Sequence, residues 1–428
     1  MANVGDLVEV KTEKSVEKGI LMPSPDENSI IIKLDNGYNM GFEKKNVQEI
    51  KVLKEKTISE EVKKEAVKPK EGLKTISILH CGGTIASKVD YETGAVKPKF
   101  SPEDLLEMFP ELSNIVNLRS KAVANMLSEN MVFAHYNLIA KEIEKEIKAG
   151  SEGIIVTHGT DFLHYTAAAL SLILENLSVP VILVGAQRSS DRGSSDAFLN
   201  LRCAAQFIVN SDFCDVALCM HNSAEDDKCV IIPAVKARKM HSSRRDAFKT
   251  INGTPYALVD AEGGIIWLTE SKDKSNGKLE LKLFNEKLKV GLLKAHPQMF
   301  AEEVKAYSNF DGLLLEGSGI GHFPILKYDD LTGENEKLFS ELKKLTAKIP
   351  VALTTQTIFG MVNMNVYAPG RDLIDIGVLG NGLDMTTETA YLKLAWLLSN
   401  YPDKVKEMFS ENLRGEISDK RSYEKEFC

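Results

Sequence analysis

Residues 75–87 read TISILHCGGTIAS, a β-branched run that breaks at two glycines just before Thr84. An apolar run without polar alternation is the pattern of a strand covered on both faces, as in a parallel sheet under helices. The pattern recurs in GIIVT (153–157), PVILVGA (180–186), DVALCM (215–220) and VIIPA (230–234). Helical stretches lie between these runs. In YNLIAKEIEKEIK (136–148), Leu138, Ile139, Ile143 and Ile147 are read as one apolar face. Alternating β and α segments predict a mostly parallel sheet covered by helices. Ligands bind such sheets beyond the carboxyl ends of the strands, so the loops that follow the runs are where chemistry is sought.

Downstream, LVDAEGGIIWLTE (258–270) reads as a hairpin and SKDKSNGKLELKLFNEK (271–287) as a polar connection. A further α/β unit follows, with KVGLLKA (289–295), DGLLLEG (311–317), PVALTTQ (350–356) and the closing helix TAYLKLAWLLSN (389–400). Upstream, residues 5–53 hold short strand-like runs: GDLVEV, GILMPS, SIIIKLD and NMGFE. The Asn36-Gly37 pair is a hairpin signal, since both residues tolerate positive φ. This length of short strands predicts a small closed, barrel-like all-β module. Residues 54–73 have the composition of a linker. The expected division is 1–53 (β module), 54–73 (linker), 74–270 (larger α/β domain), 271–287 (connection) and 288–428 (smaller α/β domain). The fold class is α/β, a two-domain parallel-sheet core behind a small all-β domain.

Hydrophobic residues at 43% and charged residues at 27% are ordinary for a globular chain of 428 residues, long enough for two or three domains. No apolar run approaches the roughly 20 residues of a membrane span. MANVGDLVEV does not read as a signal peptide, so the cytoplasm is the expected location. Six cysteines (81, 203, 214, 219, 229 and 428) include no C-x-x-C pair, and neither a zinc site nor a disulfide framework is indicated. Most are read as small buried residues. A net charge of −8 argues against a surface that grips nucleic acid throughout. Residues 44–70, with nine Lys against five Glu, are read as a solvated linker rather than a phosphate contact.

Three loops stand out. HCGGTIAS (80–87) can turn sharply at its glycines and place Thr84 at the mouth of the sheet. It fits neither the dinucleotide nor the phosphate-loop spacing. HGTD (158–161) precedes a helical run, so Thr160 and Asp161 either cap that helix or face the crevice. In VGAQRSSDRGSSDAFLN (184–200), two Arg and two Asp more often tie down a loop than act on substrate. A hydroxyl nucleophile also needs a base. VKARKMHSSRRDAF (235–248) offers Lys236, Arg238, Lys239 and His241.

Together these segments, from about Lys74 to Asn400, resemble the bacterial-type L-asparaginase/glutaminase family. HCGGTIAS and VTHGTD look like its two threonine motifs, and VGAQRSSDRGSSDAFLNL like the loop and helix that follow. The resemblance implies an asparaginase-like core and an amidohydrolase activity. By position it makes Thr84 the primary nucleophile and Tyr91 the lid tyrosine that assists proton removal. Ser128 and Glu129 fall in the substrate-binding loop, and Thr160, Asp161 and Lys239 form the second cluster. Lys239 is preferred to Lys236 because RRDAF then aligns with the family's phenylalanine segment. Cys81 and Phe162 stand where the family usually has Thr, and Ser128-Glu129 replaces the Ser-Gln of stand-alone asparaginases. The first two changes imply altered packing, the third a different grip on the substrate's α-amino group.

The whole chain resembles a narrower family, the D subunits of archaeal glutamyl-tRNA(Gln) amidotransferases, in its layout and in LDNGYNMGF (34–42), KMHSSRRDAF (239–248), QTIFGMVNMNVY (356–367) and LRGEI (413–417). That resemblance implies hydrolysis of glutamine as ammonia donor and delivery of the ammonia to a partner, the E subunit of the same amidotransferase. The partner would bind tRNA(Gln), ATP and Mg, and this chain would need no cofactor of its own. A homodimer within a heterotetramer is the assembly implied, with no membrane contact. A stand-alone cytosolic L-asparaginase is the alternative with the same chemistry. A tRNA-binding or scaffold protein without activity is the alternative of another class.

Overall fold

The computed structural model describes residues 2–24, 26, 28–55, 69–83, 85, 87–89, 96–98, 105–106, 108–188, 193–270 and 277–418. Thr84, Tyr91 and most of the proposed linker lie outside the described residues.

The N-terminal module is an antiparallel sheet of β1 (Leu7–Thr12), β2 (Val16–Met22), β3 (Ser29–Lys33), β4 (Asn39–Glu43) and β5 (Val47–Lys54), in the order β4-β3-β2-β1-β5. Val8, Val10, Ile30 and Ile32 alternate inward and form a small core of their own. Asn36-Gly37 makes the β3–β4 turn, with Leu34 N–H donating to the Tyr38 carbonyl at 2.9 Å. The edge strands β4 and β5 share no ladder among the described residues, so the sheet stays open where a closed barrel was expected.

The main sheet contains β6 (Thr75–His80), β7 (Asn117–Ala122), β8 (Gly153–Thr157), β9 (Val181–Val184), β10 (Val216–His221) and β11 (Lys228–Pro233). A separate hairpin of β12 (Ala237–Lys239) and β13 (Phe248–Thr250) follows, and the sheet resumes with β14 (Ala257–Asp260) and β15 (Ile265–Trp267). Its order is β15-β14-β11-β10-β9-β8-β6-β7. The strands β7, β6, β8, β9 and β10 run parallel; β11, β14 and β15 continue antiparallel. The continuous apolar runs follow from this burial. Ile154 and Val156 enter one core while Ile155 enters the other, and Leu79 is likewise opposed to Ile76 and Ile78.

Helices α1 (Phe133–Lys148), α2 (Leu163–Ile173) and α3 (Ala197–Val209) cover the sheet. In α1 the buried stripe is Tyr136, Ile139, Ala140 and Ile143, whereas Leu138 is 40% exposed. Leu138 and Ile139 are about 100° apart around a helix and cannot share a narrow face.

The second unit has a parallel sheet of β16 (Val290–Lys294), β17 (Gly312–Gly317) and β18 (Val351–Thr355), in that order. Helices α4 (Glu334–Thr346) and α5 (Thr387–Asn400) pack with it. Ala390, Leu394 and Leu397 of α5 belong to the same core as Leu163 and Ala167 of α2, so the two units share apolar packing. The chain beyond α5 is pinned by a fully buried ion pair, Lys393 Nζ to Glu416 Oε1 at 2.7 Å. Glu416 also accepts the Leu413 and Arg414 N–H groups at 3.0 and 2.6 Å. Removing one member of such a pair strands a buried charge, so Lys393→Met should cost about 3–5 kcal/mol of unfolding free energy. Urea titration of both proteins measures it, and a loss below about 1 kcal/mol would show that the pair contributes little.

Candidate active site

The site begins with strand register. In the β6–β8 ladder Thr157 lies opposite His80, and in the β8–β9 ladder Thr157 lies opposite Val184. The three strands therefore end level, and their loops leave the sheet side by side. The Cys81 N–H donates to the Thr157 carbonyl at 2.9 Å and the His158 N–H to the Val184 carbonyl at 3.0 Å, carrying the ladders one residue further.

Glycine then allows the first loop to close on the second. Gly82 and Gly83 have φ of 102° and 84°, a region L side chains rarely adopt. A Cβ on Gly83 would lie 2.7 Å from the Gly159 nitrogen and the His158 carbonyl, and one on Gly82 would strike the Met126 carbonyl. The turn that leads into Thr84 is thus pressed against the backbone of both HGTD and the segment leading to Ser128.

In the second loop the structure brings together three of the sequence-chosen residues. Lys239 Nζ donates to Thr160 Oγ1 at 2.9 Å and to Asp161 Oδ1 at 2.8 Å. The Lys239 side chain is nearly buried and that of Asp161 largely exposed, so the cluster opens to solvent on the carboxylate side. Neither Thr160 nor Asp161 caps α2: its N-cap is Phe162, without a side-chain cap bond. The Phe162 N–H donates instead to Ser128 Oγ at 3.1 Å. Ser128 is buried against Gly159, and the neighbouring Glu129 is exposed, its carboxylate 3.4 Å from Ser128 Oγ. Thr84 and Tyr91 fall outside the described residues, so the cluster is defined by Thr160, Asp161 and Lys239 with Ser128 beside them.

Of the other basic candidates, Lys236 turns away to Asp384 (2.9 Å) and Ser418 (3.1 Å). Arg238 pairs with Glu388 at 2.9 Å. His241 accepts the N–H groups of Ser243 and Arg244 in an exposed turn. Only Lys239 reaches the cluster among these four.

In the third loop, one of the four charged residues, Asp196, is seen holding backbone. The buried Asp196 carboxylate accepts the Gln187 and Arg188 N–H groups at 3.0 and 2.9 Å. Asp191 and Arg192 lie outside the described residues. This loop also contributes Gln187, which sequence reading did not single out: its Oε1 lies 3.5 Å from Thr160 Oγ1, while its buried Nε2 has no partner among the described residues. Its place directly after a buried strand was the available signal.

Two buried histidines brace the loops. His80 contacts Thr157 Oγ1 at 2.7 Å, and His158 contacts Thr166 Oγ1 at 2.8 Å. Burial lowers each from 6.5 to about 4, for His158 against the opposing hydrogen bond to the Gly159 carbonyl. Both are neutral near pH 7. Cys81 is fully buried, and burial pushes its thiol up to about 12, which withholds the thiolate that oxidation requires. Cys203, Cys219 and Cys229 are buried as well, whereas Cys214 is partly exposed. Among the described residues no group of three or more His, Cys, Asp or Glu is placed to hold a metal, and no helix is long and apolar enough to cross a membrane. A cleft of about 490 Å³ between the two units adjoins the site at Met131 and Phe162, and is lined further by Tyr136, Tyr165, Leu292 and Tyr391.

A hydroxyl, a carboxylate and an ammonium held together beyond a parallel sheet form the equipment of an acyl-transfer hydrolase. Residues 75–272 match the model described as "Asparaginase, N-terminal", and residues 289–409 the "Glutaminase/Asparaginase C-terminal domain". The thermostable L-asparaginase of Thermococcus kodakarensis superposes with a TM-score of 0.69 at 28% identity, covering 81% of this chain and 100% of that one. L-asparaginase I of Vibrio cholerae gives 0.68 at 27% identity with the same coverage. The class is that of asparaginase-type amidohydrolases. Residues 2–53 match the "GatD N-terminal domain". The D subunit of the glutamyl-tRNA(Gln) amidotransferase of Methanococcus maripaludis is 41% identical across 97% of this chain and 98% of its own length. That of Pyrococcus furiosus is 42% identical across 97% and 95%. The chain belongs to the family of glutamyl-tRNA(Gln) amidotransferase D subunits.

Two outcomes follow from the buried groups. Below pH 6.5 the unfolded chain takes up protons that folded His80 and His158 exclude until about pH 4. Stability should therefore fall on acidification across that window, by up to about 1.4 kcal/mol per pH unit for each histidine. Urea unfolding between pH 7 and 5 tests this, and a slope unchanged in His80→Asn would remove His80 from the account. Cys81 should resist iodoacetamide at pH 8 until the protein is unfolded; rapid labelling of the native protein, read by peptide mass, would contradict its burial.

Proposed function

We propose that the chain hydrolyses glutamine with Thr84 as nucleophile and passes the ammonia to a tRNA-dependent amidotransferase that converts Glu-tRNA(Gln) to Gln-tRNA(Gln). The single observation that carries this reading is the Lys239 ammonium bridging Thr160 and Asp161, beside the backbone against which the Gly82-Gly83 turn closes. Thr84 follows that turn directly.

Thr84 Oγ attacks the carboxamide carbon, and its proton passes to Tyr91 or to the Lys239 network, where the Asp161 carboxylate has the lone pair to take it. Backbone N–H groups near Thr84 and Thr160 receive the developing oxyanion. Collapse of the tetrahedral intermediate breaks the C–N bond; the amide nitrogen takes up a proton and leaves as ammonia. Water near Thr160 and Lys239 then attacks the Thr84 ester, releasing glutamate and restoring the hydroxyl. Ser128 and the exposed Glu129 carboxylate hold the substrate, Glu129 pairing with its α-ammonium.

The ammonia goes to the amidotransferase's E subunit, a partner that binds tRNA(Gln) and carries ATP and Mg; this chain contributes no cofactor. The assembly is a cytoplasmic heterotetramer built around a homodimer of this chain. A free-standing asparaginase would share the chemistry, but the match of residues 2–53 to a module of the amidotransferase family favours the complex.

Thr84→Ala should lower glutamine hydrolysis by three or more powers of ten, and Thr160→Ala and Lys239→Ala by about as much, because groups acting as a unit fail together. Ammonia release by each folded variant is the measurement, and near-normal turnover by Thr84→Ala would defeat the assignment. Hydrolysis should also rise when the E subunit and charged tRNA are added. Strong asparagine hydrolysis that ignores both would favour the free-standing enzyme.

A further inference from the structure

Glu388 sits in the first turn of α5, in the second unit, yet its carboxylate pairs with Arg238, the residue next to Lys239. It is 7% exposed. Its Oε1 pairs with Arg238 Nη1 at 2.9 Å, and Oε2 accepts from the same nitrogen at 3.1 Å. On its other side His164 Nε2 lies 3.7 Å from Oε1. Arg238 directly precedes Lys239 on β12, and His164 follows Asp161 by three residues, in the first turn of α2. One buried carboxylate thus faces both segments that supply the cluster.

β12 is three residues long and is held by its single ladder to β13, so backbone pairing alone fixes its orientation weakly. Consecutive strand side chains point to opposite sides. Holding Arg238 to Glu388 therefore sets the direction in which Lys239 emerges towards Thr160. The same stretch of chain secures the preceding turn twice more. Asp384 holds Lys236 at 2.9 Å, and Thr389 Oγ1 donates to the Val235 carbonyl at 2.9 Å. Burial by itself would raise the Glu388 pKa, but the His164 contact and the Arg238 charge outweigh it and keep the group ionised.

We infer that Glu388 is a positioning residue for the Thr160–Asp161–Lys239 cluster, acting through Arg238 and His164 and contributed by the unit that holds none of the three. The inference rests on the proposed role of Lys239. A displacement of about 1 Å at a reacting group costs on the order of 100-fold, so Glu388→Gln should lower kcat for glutamine at least tenfold. KM should stay within about twofold, because Ser128 and Glu129 are untouched, and the melting temperature should stay within a few degrees. Unchanged kcat per folded molecule overturns the inference. If Glu388→Gln does not fold, Arg238→Met with Glu388→Met tests the same point, because replacing both members of a buried pair with apolar side chains tends to preserve stability. A folded double variant with normal kcat overturns the inference, and a folded but slow one upholds it. Lys239→Ala, assayed alongside, separates the two levels: full turnover there refutes the role of the cluster itself, whatever Glu388 does.

Discussion

The arrangement depends on two adjacent parallel strands ending at the same rung. Because Thr157 lies opposite His80, the loops after β6 and β8 start level and face one another at once. A slip of one residue would turn every side chain of one strand to the wrong core, so the apolar pattern that buries β6 and β8 also enforces this rung. The two glycines convert level starts into contact. A Cβ at Gly83 would push the first loop away from His158 and Gly159, and one at Gly82 would push it away from Met126.

Much of this was legible in the sequence because burial on both faces leaves a simple mark. The strands of the core stand out as unbroken apolar runs, and the loops after them could be searched for chemistry. Capping was a reasonable reading of Thr160 and Asp161 while only their neighbours in sequence were considered. The structure replaces it with a bond to a lysine 78 residues beyond Asp161, and gives the helix start to Ser128. Choosing Lys239 among four basic residues needed the family register. Composition treats Lys236 and Lys239 alike, yet one serves Asp384 and the other Thr160. The helix face in 136–148 was misread at Leu138, because counting apolar residues ignores the angular step between neighbours.

The illegible part consists of polar contacts between segments far apart in sequence. Glu388, Asp384 and Ser418 carry no motif, and their meaning appears only when α5 is laid against β12 and α2. The N-terminal module shows the same limit in another form. Short alternating strands announce an antiparallel sheet, but whether its edges meet depends on twist and on the packing of Val47, Ile50 and Val52 against the small core. Among the described residues β4 and β5 remain the two edge strands of an open sheet.

The second unit's part in the site follows from helix electrostatics. The N-terminal end of α5 gathers Asp384, Thr386 and Glu388, with Thr386 Oγ1 accepting the Thr389 N–H at 3.3 Å. Negative groups there are favoured by the helix dipole, so the charges that stabilise the start of α5 are the ones that hold Lys236 and Arg238. Basic residues in 236–239 are therefore not interchangeable surface charge: two are held by the second unit, and the third is left free to face the hydroxyl. Among the described residues, the buried side chains of the N-terminal module form a core of their own. Geometry at the cluster is set by the two α/β units together, one supplying Thr160, Asp161 and Lys239 and the other the carboxylates that hold Lys236 and Arg238.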